Sequence, residues 1–329
     1  MTRLSLTLLA LTTVTTVTTA TTVLTNATNV SEATPDTSPG ATNVSEVTLD
    51  MCPGAFDDRY RGCSGAMAAA LPALNRSELR GDFGRAWTLA TAEWGVRRGP
   101  ASPLSPLQAI ALLSYTAPLP LHRAFNAAVR RAGRSPRQYR DNFHFKTLHF
   151  LLTTALAALR DAEVTERGQR CHRVFRGLRG LRARARRGDD VRFGHFASAS
   201  KRNESARAFG TDTIFESAWS FGTDAVSEIL TCHGAEIREF SFFPLEDEVL
   251  VPPFETFRVT DVTWAGDTAR VALSSSGTFS AYNCLWVTGQ RCGDGPCELD
   301  SGWSVPRSPP HLGGLLVATT ALAVATGTF

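Results

Sequence analysis

Positions 242–255 of the chain read FFPLEDEVLVPPFE, an aromatic-proline turn that leads through three acids into an apolar run stopped by two prolines. Alternate side chains of a β-strand share a face, so a strand here would place Glu246 and Glu248 on one side, roughly 7 Å apart, and Asp247 on the other. Two like charges on one face repel, which tends to raise the pKa of one carboxyl. A site where a carboxylate meets a developing positive charge would explain this cost. The alternative is an acidic, solvated turn before an edge strand.

Two upstream stretches support the first interpretation. Arg176 ends a predicted strand in the sequence VFRG, and Ser198 begins a Ser-x-Ser strand. An arginine, a Ser-x-Ser strand and a Glu-x-Glu turn in this order resemble the R-S-E signature of the arginine-specific mono-ADP-ribosyltransferases, in particular the vertebrate ecto-enzymes. The resemblance extends from about Asp50 to Cys297, with matching flanks at positions 56–63, 249–255 and 282–284. Ordered motifs with matching flanks are more specific than one short motif.

The hydrophobic pattern divides the chain into a helical lobe, at about 50–165, and a strand lobe, at about 170–290. Apolar residues at helical spacing predict helices over 118–133 and 143–160. Short apolar runs predict strands over 172–176, 191–198, 228–232, 236–243, 247–251, 257–262, 269–274 and 278–286. A helical lobe followed by a mainly antiparallel strand lobe is an α+β fold. The resemblance adds that 50–298 form one ADP-ribosyltransferase domain, with a two-sheet core and NAD+ in the cleft between the sheets.

Composition and charge exclude some classes of partner. Hydrophobic content of 43% and charged content of 20% are typical of a globular protein. A net charge of +3 is too small to indicate a nucleic-acid partner. Arginines crowd between Arg167 and Arg192, but no aromatic residues interleave them at a spacing suited to base stacking. We therefore interpret this run, apart from Arg176, as a solvated basic face, and we expect a monomer without nucleic acid.

Both ends of the chain have the features of processed segments. Residues 1–20 form a predicted secretory signal, with Arg3 before an apolar core. Residues 21–49 are rich in Thr and Ser and predict a disordered, glycosylated arm. Residues 299–329 resemble a GPI-attachment signal, with a retained membrane helix or a secreted form as alternatives. The protein is therefore expected at the cell surface or secreted. The sequons for N-glycosylation are Asn26, Asn29, Asn43, Asn75 and Asn203.

Seven cysteines in a chain with a secretory signal indicate disulfides, although spacing alone does not give their connectivity. Three pairs are expected, the first two from the resemblance and the third from closeness in sequence: Cys63 with Cys284, Cys171 with Cys232, and Cys292 with Cys297. Cys52 is then left over, as a free thiol, an intermolecular link or an alternative partner.

The resemblance implies transfer of ADP-ribose from NAD+ to arginine side chains of extracellular proteins, with roles for five residues. Glu248 would face the ribose, where a carboxylate stabilises developing positive charge and binds the 2′-hydroxyl. Ser198 would orient Glu248 and the ribose, and Arg176 would grip the NAD+ phosphates. Gly177 would let the backbone approach the nicotinamide amide. Glu246 would align the acceptor guanidinium and help to remove its proton.

Arg176 and two histidines could have structural roles instead of functional ones. Arg176 could instead form a salt bridge with Asp189 or Asp190. His144 and His149 lack an evident third ligand, so we interpret them as histidines at the core edge or surface. NAD+ is accordingly expected as substrate, and no metal is expected.

One segment departs from the family pattern. The sequence FGTD at 209–212 recurs at 221–224, and about 12 residues are added here. Phe209 keeps the family's spacing from Ser200 and is the candidate aromatic of the nicotinamide pocket, although it could equally be a core residue. Because the added residues fall next to that pocket, two alternatives to arginine transfer remain. One is an NAD+ glycohydrolase with the same site, and the other is a catalytically silent surface protein that binds a partner.

Overall fold

The structure, a computed structural model, describes residues 49–97, 102–178, 185–203, 225–265 and 268–289. The predicted helical lobe is present. Its helices are α1 Ser64–Glu78, α2 Gly81–Arg97, α3 Pro106–Thr116, α4 Leu121–Ala132, α5 Pro136–Asn142 and α6 Lys146–Arg167. The helix predicted over 118–133 is α4, and the one predicted over 143–160 is α6.

Helix α6 follows from its apolar stripe. Leu148, Leu152 and Leu156 recur one turn apart and are each no more than 1% exposed. The helix ends at Gly168, whose φ of 65° lies in the left-handed region that favours glycine. It therefore ends at Arg167, and the prediction that stopped at Arg160 was too short.

His149 in α6 is fully buried, so its placement at the core edge or surface was wrong. Its Nδ1 lies 2.8 Å from the hydroxyl oxygen of Tyr60, and its Nε2 lies 3.2 Å from the carbonyl oxygen of Phe56. Burial lowers the pKa of His149 to about 3, so the imidazole is neutral at physiological pH. The histidine thereby fastens the N-terminal segment to the helical lobe. His144 is exposed, as predicted.

In the described residues, eight strands form one hydrogen-bonded sheet. The strands are β1 His172–Leu178, β2 Asp190–Val191, β3 Ala197–Ser200, β4 Ala225–Thr231, β5 Ala235–Glu236, β6 Glu248–Val251, β7 Glu255–Ala265 and β8 Thr268–Thr278. Their spatial order is β2-β7-β8-β4-β1-β3-β6-β5, and β4 and β8 are the parallel neighbours. Strands β1 and β3 pair at one position, with Phe175 opposite Ser200. This junction divides the sheet into a five-stranded part, β2-β7-β8-β4-β1, and a three-stranded part, β3-β6-β5. This division agrees with the expected two-sheet core.

The strand predicted over 191–198 is interrupted between β2 and β3. Arg192 is 2% exposed, and its Nη1 lies 2.6 Å from Oδ2 of Asp57, a carboxylate that is itself fully buried. Gly194 has a φ of 63°, and a Cβ there would lie 2.5 Å from the Cβ of Cys52. The close approach of the N-terminal segment therefore bends the chain where apolar periodicity predicted a continuous strand.

The strand predicted over 278–286 is absent, and its second half is a loop with a short helix, α7 Leu285–Thr288. Asp58 explains the difference, because its carboxylate accepts hydrogen bonds from the N–H groups of Cys284 and Leu285 at 2.8 and 2.9 Å. Asp57 likewise accepts from the N–H of Ala281 at 2.8 Å. These N–H groups are satisfied by side chains and do not need a neighbouring strand.

The strand predicted over 236–243 is also mostly wrong. Only β5 is formed there, and a 3₁₀ turn at Arg238–Phe240 follows it. The N–H of Ile237 donates to the carbonyl of Glu248 at 3.0 Å, and the N–H of Phe240 then bonds back to Ile237 at 2.8 Å. In the described residues, no helix combines the length and the apolar character needed to cross a membrane.

Two of the three expected disulfides are present, Cys63–Cys284 and Cys171–Cys232. The first joins residues 221 positions apart, and closing a loop of that size stabilises the folded state by roughly 5 kcal/mol in the chain-entropy model. Cys52 is a free thiol whose Sγ lies 3.2 Å from the carbonyl oxygen of Arg192. Cys292 and Cys297 lie outside the described residues.

Candidate active site

Glu248 is the first residue of β6 and is 3% exposed. Ser241 Oγ donates a hydrogen bond to its Oε2 at 3.3 Å, and the side chain of Ser198 lies close enough to lower the pKa of the carboxyl. Burial raises the pKa of Glu248 to about 7, and the charge of Glu246 contributes to this rise. The hydrogen bonds to the carboxylate lower the pKa and offset part of this rise. A carboxyl with this pKa titrates near physiological pH, which is typical of functional sites.

Glu246 is brought close to Glu248 by a turn and not by a strand. Residues Pro244–Glu246 form a 3₁₀ turn, and Asp247 has a φ of 48°. The prediction that Glu246 and Glu248 share one face of a strand is therefore wrong. Glu246 is half-buried, and its burial raises the pKa of its carboxyl.

Asp247 lies between the two glutamates and is fixed by two arginines. Its Oδ2 lies 2.6 Å from Nε of Arg202, and its Oδ1 lies 2.9 Å from Nη1 of Arg238. Its carbonyl also accepts the N–H of Lys201 at 3.1 Å. The middle acid thus holds the turn in place, and both arginines pair with it and not with the flanking glutamates.

Ser198 lies on β3, between the strands that carry Arg176 and Glu248. It is opposite Leu250 of β6, while Ser200 is opposite Glu248. Because alternate residues of a strand point to one face, Ser198 and Ser200 share the face of β3. The Oγ of Ser200 donates to the carbonyl of Glu246 at 2.6 Å, so this serine supports the acidic turn.

Arg176 lies near the end of β1, where it pairs with Ser227 of β4. Its Nη1 donates to the carbonyl of Ser198. The two aspartates considered as salt-bridge partners of Arg176 make other contacts. Asp190 pairs with Arg258 at 2.9 Å, and Asp189 accepts the N–H of Arg186 at 2.7 Å. Gly177 follows Arg176 in β1 and is buried.

Sequence reasoning missed Tyr115 and Asn126, which lie on α3 and α4. The hydroxyl of Tyr115 donates to the carbonyl of Phe196 at 2.9 Å, and Nδ2 of Asn126 donates to that hydroxyl oxygen at 3.1 Å. Burial raises the pKa of Tyr115 to about 12, and the charge of Glu248 and a hydrogen bond with Ser198 also act on the phenol. Tyr115 sits in the apolar helix sequence AIALLSYT, where nothing distinguishes it from a core residue.

Several expected site residues lie outside the described part of the chain. They are Phe209, the repeat at 221–224, and the sequons Asn26, Asn29 and Asn43. Asn203 is exposed, whereas Asn75 is half-buried in α1 and its Oδ1 accepts from the hydroxyl of Thr147 at 2.9 Å.

A second cluster of polar residues lies at the start of β1. One oxygen each of Glu163 and Glu236 and a ring nitrogen of His172 lie within 4.8 Å of one another. His172 Nε2 is 2.8 Å from Oε2 of Glu163, and Lys201 pairs with Glu236. We interpret this cluster as a polar network that joins α6 to the sheet.

The fold and the site together define a class of protein, the ADP-ribosyltransferases. The family model described as NAD:arginine ADP-ribosyltransferase matches residues 49–281. The chain belongs to this family.

Curated relatives and solved structures agree with this assignment. The human GPI-linked NAD(P)(+)--arginine ADP-ribosyltransferase 1 is 46% identical over 265 residues, which cover 75% of this chain and 76% of that protein. The erythroblast NAD(P)(+)--arginine ADP-ribosyltransferase of Gallus gallus is 44% identical over 263 residues, covering 78% and 82%. The crystal structure of the eucaryotic mono-ADP-ribosyltransferase ART2.2 matches with a TM-score of 0.59 and 31% identity, covering 73% of this chain and 99% of that one. A mutant of ART2.2 has been solved in complex with NAD.

Proposed function

We propose that this protein transfers ADP-ribose from NAD+ to arginine side chains of extracellular proteins and releases nicotinamide. The observation that carries the proposal is the buried carboxylate of Glu248, which accepts a hydrogen bond from Ser241 and whose pKa is shifted by Ser198, Glu246 and Arg176. This combination fits a reaction in which positive charge develops beside a fixed carboxylate.

In the proposed reaction the bond between nicotinamide and C1′ of the ribose breaks, and its electron pair leaves with nicotinamide. The ribose then carries oxocarbenium character, as in glycoside hydrolysis. Glu248 stabilises that charge, and its low exposure strengthens the interaction because water does not screen it. Bound NAD+ brings the positive charge of its nicotinamide ring, which favours the ionised form of Glu248 over the neutral one.

Arg176 and Ser198 position the substrate in this proposal. A guanidinium suits bidentate contact with phosphate oxygens, and the bond from Arg176 to the Ser198 carbonyl fixes its direction on the sheet. The Ser198 hydroxyl orients the Glu248 carboxylate in this proposal, which keeps the angle between carboxylate and ribose constant. Gly177 leaves room for the backbone beside the nicotinamide amide.

Glu246 selects the acceptor. Its half-buried carboxylate would align an arginine guanidinium by paired hydrogen bonds and accept one proton as a guanidinium nitrogen attacks C1′. A second candidate function is NAD+ hydrolysis at the same site, which is favoured by any loss of this alignment. The pocket aromatic proposed for nicotinamide is Phe209.

The chemistry of the partner follows from the site. It is a protein that presents an exposed arginine at the cell surface, since residues 1–20 are predicted to be a secretory signal and residues 299–329 a GPI-attachment signal. We propose a lipid-anchored monomer that is glycosylated at Asn203 and at the other sequons.

Labelled NAD+ incubated with the purified protein, with and without agmatine, tests the proposal. Formation of ADP-ribosyl-agmatine supports arginine transfer. Free ADP-ribose alone would replace it by the glycohydrolase. No turnover by a folded protein with intact disulfides would favour a binding protein without catalysis.

A further inference from the structure

Three arginines and a histidine from separate segments meet away from the candidate active site. Arg59 and Arg61 lie in the N-terminal segment before α1, Arg160 lies in α6, and His233 lies between β4 and β5. We refer to these four residues as the basic cluster.

Phe254 connects two members of the basic cluster. The guanidinium carbon of Arg59 lies 4.7 Å from the centroid of the Phe254 ring, a cation–π distance. The ring of His233 lies 6.3 Å from the same ring. Arg59 is held further by Thr278, whose hydroxyl oxygen accepts from its Nη1 at 2.8 Å. The guanidinium is therefore fixed in position before any ligand arrives.

The other two arginines lie on different segments, Arg160 in α6 and Arg61 two residues after Arg59. Nε of Arg160 donates to the carbonyl of Cys232, the residue next to His233. Arg61 is exposed, and its backbone is fixed by Asn283, whose Oδ1 accepts its N–H at 2.9 Å and whose Nδ2 donates to its carbonyl at 2.9 Å. Arg160 therefore lies beside His233, and Arg61 is near enough for its charge to lower the pKa values of Arg59 and His233.

The positive charges act on one another. The pKa of His233 is lowered to about 4, by burial first and then by the charges of Arg160, Arg59 and Arg61. The pKa of Arg59 is lowered to about 10, by burial first and then by the charges of Arg61 and Arg160. Like charges gathered in this way are unfavourable unless an anion neutralises them.

Two carboxylates lie near the basic cluster, one of them buried and the other exposed to solvent. Glu255 is fully buried beneath the turn, where it accepts from Thr231 at 2.5 Å, from Ser275 at 2.7 Å, and from the N–H groups of Cys232 and His233. Asp161 is 78% exposed and lies 3.8 Å from Arg160. In the described ranges, neither Arg59 nor Arg61 forms a salt bridge.

The basic cluster is separate from the candidate active site. Cys232 directly follows Thr231, which pairs with His172 at the start of β1. Arg176 lies four residues further along the same strand, roughly 13 Å away at the rise of a β-strand. No residue belongs to both places.

We propose that the basic cluster binds a tetrahedral oxyanion, either a phosphate or a sulfate group. Planar guanidinium groups donate paired hydrogen bonds to such oxygens. Arg59 supplies a preset donor at the inner side, while Arg61 supplies an exposed donor that closes over the anion. The ligand has two possible sources, free inorganic phosphate and the sulfate ester of a cell-surface glycan, which share this chemistry.

Titration calorimetry with inorganic phosphate and with a sulfated disaccharide tests the proposal. The proteins compared are the wild type, Arg61→Glu and Arg137→Glu. Arg137 is the matched control, because its side chain is 88% exposed in α5 and the same charge change is made outside the cluster. Each titration is repeated with Arg176→Ala, which removes anion binding at the proposed NAD+ site.

The expected result is one site that Arg61→Glu weakens about tenfold or more, while Arg137→Glu and Arg176→Ala leave it within about twofold. Tighter binding of the disaccharide identifies a glycan sulfate, and equal or tighter binding of phosphate identifies the free anion. Equal affinity in Arg61→Glu and the wild type, or no binding of either anion to the wild type, overturns the proposal.

Discussion

The Oγ of Ser200 lies 2.6 Å from the carbonyl oxygen of Glu246, so the strand that presents Ser198 also holds the turn that presents both acids. The same Oγ accepts the N–H of Arg202 at 2.9 Å, and Arg202 in turn pairs with Asp247. The positions of Ser198, Glu246 and Glu248 are therefore not independent of one another. A change at Ser200 is expected to affect catalysis although this residue touches no substrate in the proposed mechanism.

Replacing Ser200 by Ala tests this connection. Loss of the buried hydrogen bond should lower the free energy of unfolding by about 1–2 kcal/mol. The loosened turn should also lower the ratio of ADP-ribosyl-agmatine to free ADP-ribose, because Glu246 loses its fixed position. Ser276→Ala is a matched control, since Ser276 donates to Thr256 at 3.1 Å elsewhere in the sheet. An unchanged product ratio in Ser200→Ala would contradict the positioning role.

Glu246→Gln should separate the two reactions of the site. Agmatine modification is expected to fall by about 100-fold, since a neutral amide neither pairs with a guanidinium nor accepts its proton. Hydrolysis of NAD+ should persist, because Glu248 is intact. Product analysis with labelled NAD+ checks both rates, and Glu239→Gln is the control for an exposed glutamate in the neighbouring turn. Parallel loss of both reactions would remove the acceptor role from Glu246.

Glu248→Gln should abolish both reactions and yet stabilise the fold at neutral pH. Burial raises the pKa of Glu248 from 4.5 to about 7, so the folded state binds the proton more tightly than the unfolded state. Its contribution to stability is therefore complete below about pH 4.5 and is lost as the pH rises through about 7. The amide lacks this titration.

Denaturant unfolding of both proteins at several pH values measures this effect. The difference in the free energy of unfolding between Glu248→Gln and the wild type should grow by about 3 kcal/mol between pH 4 and pH 8. Glu78 and Glu255 also have raised pKa values, but they are present in both proteins and cancel in the difference. A difference that does not change with pH would show that Glu248 titrates at its ordinary pKa.

Asp58→Asn tests the anchor between the two ends of the domain. One oxygen of Asp58 would become an amide NH₂ facing the N–H groups of Cys284 and Leu285, leaving at least one buried donor unsatisfied. The expected loss is about 2–4 kcal/mol in the free energy of unfolding. Asp82→Asn is the control, since Asp82 is partly exposed and pairs with Arg85 within α2. Equal stability of the two variants would contradict the anchor.

The sequence predicted those parts of the fold that local periodicity controls. Helix α6 follows from Leu148, Leu152 and Leu156, whereas the roles of Arg176, Ser198 and Glu248 rest on motif order and flanks and stay a prediction. The course of residues 278–286 was not predictable from local pattern, because it is set by carboxylates more than 200 positions away, at Asp57 and Asp58.

The geometry of the site was also not predictable from hydrophobic periodicity. Glu-x-Glu has the spacing of a strand face, yet the φ of 48° at Asp247 makes it a turn, and two arginines distant from the motif stabilise that turn. Tyr115 was missed for a different reason, since a tyrosine in an apolar helix has the same local pattern whether it packs in a core or lies near a buried carboxylate such as Glu248.

The Cys63–Cys284 bond also bears on how the protein would respond to mechanical load. If a lipid attached near the C-terminus tethers the protein, a pull on the chain enters the described fold at Gly289 and meets this covalent bond five residues later. The disulfide offers the tension a second covalent path into the start of α1, so the load on β8 and on the strands behind it is reduced. A surface enzyme built this way keeps the geometry of its site under shear.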